Sequence, residues 1–117
     1  MAYRRLTHET SRLLKKKLPA AFTVRVRSAQ KLDPQYQALC SLEGSGKQRY
    51  FLIRISKRLS DEQARDALIH EYAHAVSWGH LHDQQEDHPW HDDVWGVNYA
   101  RVYRVANEDE EDSFHEK

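Results

Sequence analysis

The stretch from Ser60 to Gly79 constrains this chain more than any other, because it carries the start, the period and the stop of one long helix. Ser60 followed by Asp61, Glu62 and Gln63 has the form of a capping box, in which the serine oxygen accepts an early backbone N–H and Gln63 reaches back. The two acids suit the positive end of the helix dipole. Ala64, Ala67, Leu68, Tyr72, Ala75 and Val76 then recur at three- and four-residue intervals, which carries the helix to about Trp78, where Gly79 can end it.

In the middle of this helix stands His70-Glu71-Tyr72-Ala73-His74. Two histidines four residues apart project from one helix face about one turn apart, so their ring nitrogens can meet one metal ion. Glu71 lies one position round from His70, where a carboxylate reaches a water on the ion without being a ligand. Zinc hydrolysis needs this arrangement: the ion lowers the pKa of its water and polarises the carbonyl, while the glutamate moves the proton. The competing reading is a helix that carries two of the chain's eight histidines by chance. Two imidazoles buried beside a carboxylate are costly without a metal or a full set of hydrogen bonds, which weighs against it.

A catalytic zinc needs a third protein ligand and an open position. The candidates are His80, His82, His88 and His91, with Glu86 as a carboxylate alternative. His80 and His82 follow the helix too closely to turn back to the metal without strain. Pro89 suits the first turn of a further helix, with Asp87 or His88 as its cap, and Trp90, Val94, Val97 and Val105 carry that helix to about Ala106. His91 lies inside it, one turn before Trp95, where a packed face can hold it toward the metal, and is the ligand chosen, with His88 as the alternative. Asp87, Asp92 and Asp93 are near enough to accept the second ring N–H of a ligand. Tyr72, Tyr99, Tyr103, Arg101 or a backbone N–H could serve as oxyanion donor.

Upstream, Leu6, Leu13, Leu14 and Leu18 recur at helical spacing from about Arg4 until Pro19 stops the pattern. Phe22, Val24 and Val26 alternate with Thr23, Arg25 and Arg27, the period of a strand with one wet face. Tyr36, Ala38, Cys40 and Leu42 alternate likewise, and Gly44-Ser45-Gly46 then turns the chain into the aromatic and β-branched run Tyr50 to Ile55, a hairpin. The expected architecture is α+β and zincin-like: a small three-stranded sheet packed against an N-terminal helix, the motif helix and a third, ligand-bearing helix. The domain spans residues 1–106, and 107–117, with Glu108 to Asp112 all acidic, reads as a disordered tail.

At 117 residues the chain suits one compact domain, and with 39% hydrophobic and 31% charged residues no run is apolar enough for a membrane span. Cys40 is the single cysteine, which excludes an internal disulfide and a cysteine-rich structural zinc site within this chain. Met1 to Arg12 lacks a signal-peptide pattern, so a cytoplasmic setting is expected. The net charge is zero, yet residues 1–31 hold nine of the 18 Lys and Arg against one acid, Glu9. That asymmetry leaves open a weak DNA association through the basic N-terminal region, beside the plainer reading of a solvated helix face.

The run Ile53 to Leu59, then Leu68-Ile69-His70-Glu71-Tyr72-Ala73-His74-Ala75, then His91 with Trp95 four residues on, resembles the SprT-like zinc metallopeptidase domain, over about residues 4–105. The resemblance implies His70, His74 and His91 as ligands of one Zn2+, Glu71 as general base, and hydrolysis of peptide bonds in polypeptide substrates. Many members also carry a C-terminal zinc ribbon, and with one cysteine and an acidic tail this chain is expected to be a minimal form without it. Asp92 stands where members often have a glycine after the third histidine. Tyr50 to Ile55 is expected to be an edge strand that holds extended substrate by backbone pairing. The other class of reading is a non-catalytic, zinc-stabilised module that docks a protein or nucleic-acid partner. Glu71 counts against it, since a structural site needs no base.

Overall fold

The computed structural model describes residues 4–30, 32, 36–78 and 93–107. Along the chain these form helix α1 (Arg5–Lys17), strands β1 (Thr23–Ala29) and β2 (Ala38–Glu43), a 3₁₀ turn (Gly46–Gln48), strand β3 (Tyr50–Ser56), and helices α2 (Asp61–Ser77) and α3 (Asp93–Ala106). Among the described residues the fold is α+β, with three helices and one three-stranded mixed sheet. No described helix is long and apolar enough to cross a membrane.

The sheet order is β1-β3-β2, with β1 parallel and β2 antiparallel to β3. This corrects the expectation that Tyr50 to Ile55 is an edge strand: it is the centre of the sheet, and β1 and β2 are the edges. Its composition fits that place, because Phe51, Ile53 and Ile55 are all buried and every backbone position can pair on one side or the other. The β2–β3 hairpin turns through Gly44, whose φ of +80° is open to glycine at little cost.

One face of the sheet is the core face. Val24 from β1, Ala38 from β2 and Phe51, Ile53 and Ile55 from β3 are buried there, with Leu14 of α1, Ala64, Ala67, Leu68, Ile69 and Tyr72 of α2, and Val102 and Ala106 of α3. α2 packs across β2 and β3, and α1 and α3 pack against α2. The other face carries Thr23, Arg25 and Arg27, Tyr50, Leu52 and Arg54, and Leu39, Ser41 and Glu43, none of them buried.

α1 departs from its sequence pattern. Its buried residues are Thr7, Thr10, Ser11 and Leu14, while Leu6 is 40% exposed. The cause lies on α2. The Asp61 carboxylate accepts the backbone N–H groups of Leu6 and Thr7 at 2.7 and 2.9 Å and the Thr7 hydroxyl at 2.7 Å. Arg65 donates to Thr10 Oγ1 at 3.0 Å. α1 has no capping side chain of its own at Arg4, so Asp61 satisfies its first free N–H groups from a different helix. Arg4 donates to the carbonyls of Ser56 and Leu59, which ties the same end to the turn before α2.

Candidate active site

α2 begins with the capping box expected of it: Ser60 Oγ accepts the Gln63 N–H at 3.1 Å and the Ser60 N–H donates to Gln63 Oε1 at 3.0 Å. The cap fixes the helix register, and the register decides which residues of the motif point where. Ile69, Tyr72 and Ala73 go into the core, while His70, Glu71, His74 and Trp78 are half-buried on the face toward β2 and α3.

The imidazoles of His70 and His74 have ring centroids 5.3 Å apart. Trp95, in the first turns of α3, lies 5.0 Å from the His70 ring and 5.5 Å from the His74 ring, and stacks on Tyr99 at 4.9 Å with 14° between planes. α3 is held in that position one turn further along both helices: Asn98 Nδ2 donates to Ser77 Oγ at 3.0 Å, and that hydroxyl donates to the Ala73 carbonyl at 2.7 Å. Both Asn98 and Ser77 are buried. At its far end α3 is fixed by Arg65, which donates to the Ala106 carbonyl and to Asn107 Oδ1 at 2.9 Å each. The sequence carries no signal for the second link and, for the first, only an asparagine on an otherwise apolar helix face.

The Glu71 side chain of α2 reaches the edge of β2 that no described strand pairs with. The Ser56 N–H donates to the Gln37 carbonyl at 2.9 Å, so antiparallel alternation turns the backbone groups of Leu39 and Ser41 toward β3 and those of Ala38, Cys40 and Leu42 outward. Burial pushes the Glu71 carboxyl up to about 7, and the backbone N–H of Cys40, hydrogen-bonded to it, acts in the opposite sense. Cys40 is pushed up to about 12 by burial and then by the charge of Glu71, so its thiol is protonated. Two cavities flank Glu71. One of about 350 Å³, mostly apolar, is lined by Cys40, Leu42, Phe51, His74 and Trp78, and the other, of about 440 Å³, by Gln37, Asp66, His70 and Tyr99.

Of the sequence-predicted site residues, His70, Glu71 and His74 come together here. His91 lies outside the described residues, as do His80, His82, Glu86, Asp87, His88 and Asp92. Two imidazoles at one-turn spacing beside a carboxylate fit two ligand positions of a zinc ion and its base. Among the described residues no group of three His, Cys, Asp or Glu is placed to hold a metal. The candidate oxyanion donors separate. The Tyr72 hydroxyl is turned away, donating to the carbonyls of Leu14 and Leu18 at 3.2 and 2.8 Å. Arg101 is exposed and donates to Asn98 Oδ1, and Tyr103 is exposed. Tyr99 lies 6.3 Å from the His70 ring and lines the cavity that Glu71 shares.

No protein-family model, curated protein or solved structure matches this chain.

Proposed function

We propose that this chain is a zinc-dependent metallopeptidase of the SprT-like, zincin kind, with one ion held by His70, His74 and His91 and with Glu71 as general base. The observation that carries the reading is the convergence on one half-buried face of two imidazoles 5.3 Å apart, a carboxylate and the open edge of a strand. A merely structural pair of histidines would not require a carboxyl beside it, whereas a hydrolytic site needs a base there.

When bound, zinc would polarise the scissile carbonyl and bring the pKa of a water toward neutrality. The chain's own residues do the rest. The outward backbone groups of Ala38 and Leu42 on β2 pair with an extended substrate, the role that the sequence alone had suggested for the strand now found at the centre. Glu71 takes a proton from the attacking water and returns it to the amine nitrogen as the C–N bond breaks. Tyr99 is the described side chain best placed to donate to the carbonyl oxygen as charge develops on it. The apolar cavity beside His74 has room for one bulky side chain next to the scissile bond.

The test is zinc content by mass spectrometry on wild type, His91→Ala and Glu71→Gln, alongside cleavage of an unfolded protein. One zinc in wild type, lost in His91→Ala and kept without cleavage in Glu71→Gln, is the expected result. Equal zinc in all three with no cleavage anywhere would turn the reading to a zinc-stabilised docking module.

A further inference from the structure

α1 packs chiefly on α2 and α3 rather than on the sheet, which leaves a groove of about 400 Å³ between α1 and β1. Val26 of β1 and Ile55 of β3 give it an apolar floor, and the exposed Arg12 and Lys15 of α1 stand on its rim. No acid lines it, and among the described residues neither cation has an acid partner. Partial burial lowers the Lys15 pKa, with no described carboxylate to offset it. An apolar floor under a cationic rim selects a ligand that brings both carboxylates and an apolar side chain, since a uniform polyanion would leave Val26 and Ile55 uncovered.

The chain itself carries such a segment. Glu108 to Asp112 are five consecutive acids, and Ser113 and Phe114 follow them. With Glu116, residues 108–117 hold six acids against one cation, Lys117, while the rest of the chain holds 17 Lys and Arg against 12 acids. The attraction between the two parts is therefore general before any one pair forms.

The end of α3 puts this segment within reach. Arg65 donates to Thr10 Oγ1 of α1, to the Ala106 carbonyl and to Asn107 Oδ1, so the chain leaves α3 beside α1. Asn107 shares a hollow there with Glu9, Thr10 and Leu13, on the flank of α1 opposite the groove. A helix with its side chains is about 10–12 Å across, so half its girth is roughly 17 Å. Phe114 is seven residues beyond Asn107, a span of up to about 24 Å when extended. A tether this short also keeps the segment at an effective concentration of about millimolar.

We propose that residues 108–114 cross the outer face of α1 and dock in the α1–β1 groove of the same molecule, with acids of Glu108–Asp112 on Arg12 and Lys15 and with Phe114 on Val26 and Ile55. The docked segment covers the edge of the core at Ile55 and ties α1 to β1. Docking needs nothing from Glu71 or from a metal.

Zero-length carbodiimide coupling of the full chain, with the linked peptides read by mass spectrometry, tests this. Lys15 should join a carboxylate of Glu108–Asp112 within the monomer, at several times the yield found for Lys47 in the turn between β2 and β3. Phe114→Ala alters no residue of the core and should cut the Lys15 yield about fivefold or more, because the apolar anchor is gone. Arg12→Glu should cut it as well, by repulsion. Equal yields at Lys15 and Lys47, or an unchanged Lys15 yield in Phe114→Ala, would overturn the proposal. So would Lys15 links found only in coupled dimers, which would put the segment on a second copy.

Discussion

The Asp61 carboxylate of α2 accepts both the backbone N–H and the hydroxyl of Thr7 of α1, at 2.9 and 2.7 Å. One residue thus begins one helix and caps another. Asp61→Ala removes a charged cap and should cost about 2 kcal/mol, with Ser60 still capping α2. Thermal unfolding of the variant measures it.

The same contact sets an acid limit. Desolvation alone would push the Asp61 carboxyl up, but the hydrogen bonds from Thr7 and Leu6, together with Arg4, outweigh it and hold the group below the usual aspartate range. A carboxyl with a folded pKa below its unfolded value, about 3.9, contributes stability above that pH and loses it as pH falls toward the folded pKa. Wild type should therefore lose stability below about pH 4 more steeply than Asp61→Asn. Parallel acid-unfolding curves for the two would show that Asp61 does not act this way.

Tyr72 lies inside the motif yet serves the fold. Its hydroxyl reaches two carbonyls at the end of α1, so Tyr72→Phe should cost about 1 kcal/mol and leave zinc content unchanged. A tenfold fall in cleavage at unchanged stability would place that hydroxyl in the chemistry instead.

These contacts mark the boundary of what the sequence made legible. The capping box and period of α2 are local, and they set the register of His70, Glu71 and His74 without any tertiary contact. The burial of Thr7 and Thr10 was not readable, because it depends on Asp61 and Arg65 more than fifty positions away. Nor was the central place of β3, since strand order follows from non-local pairing that the run Tyr50 to Ser56 does not encode by itself. The Cys40 contact to Glu71 uses a backbone N–H, for which residue identity carries no signal.

Gly44 and Gly46 should behave differently although both have positive φ, at +80° and +58°. A Cβ on Gly44 would meet the Gln48 carbonyl oxygen at 2.5 Å, whereas one on Gly46 meets nothing within 4 Å. Gly46→Asn should cost less than about 1 kcal/mol, because asparagine tolerates the left-handed region, and Gly44→Ala should cost more than the 1–2 kcal/mol or so of that region alone. Equal melting temperatures for the two variants would mean that the hairpin turn relaxes around Gly44.

Trp95 is the residue through which α3 meets the histidines of α2, touching His70 and His74 at 5.0 and 5.5 Å between centroids. Ligand rings left free to rotate must be ordered when an ion binds, and that ordering lowers affinity. Trp95→Ala should therefore weaken zinc binding by about 10- to 100-fold, as loss of a supporting contact commonly does, while Trp95→Phe should keep most of it. Competition with a chelator of known affinity reads both. The Asn98–Ser77 link supplies the control: Asn98→Ala leaves the aromatic in place but loosens the helix that carries it, so it should lower the melting temperature more than it lowers zinc affinity. If Trp95→Ala binds zinc as tightly as wild type, α3 does not organise the ligands, and the proposal that His91, four residues before Trp95, completes the site loses its main structural support.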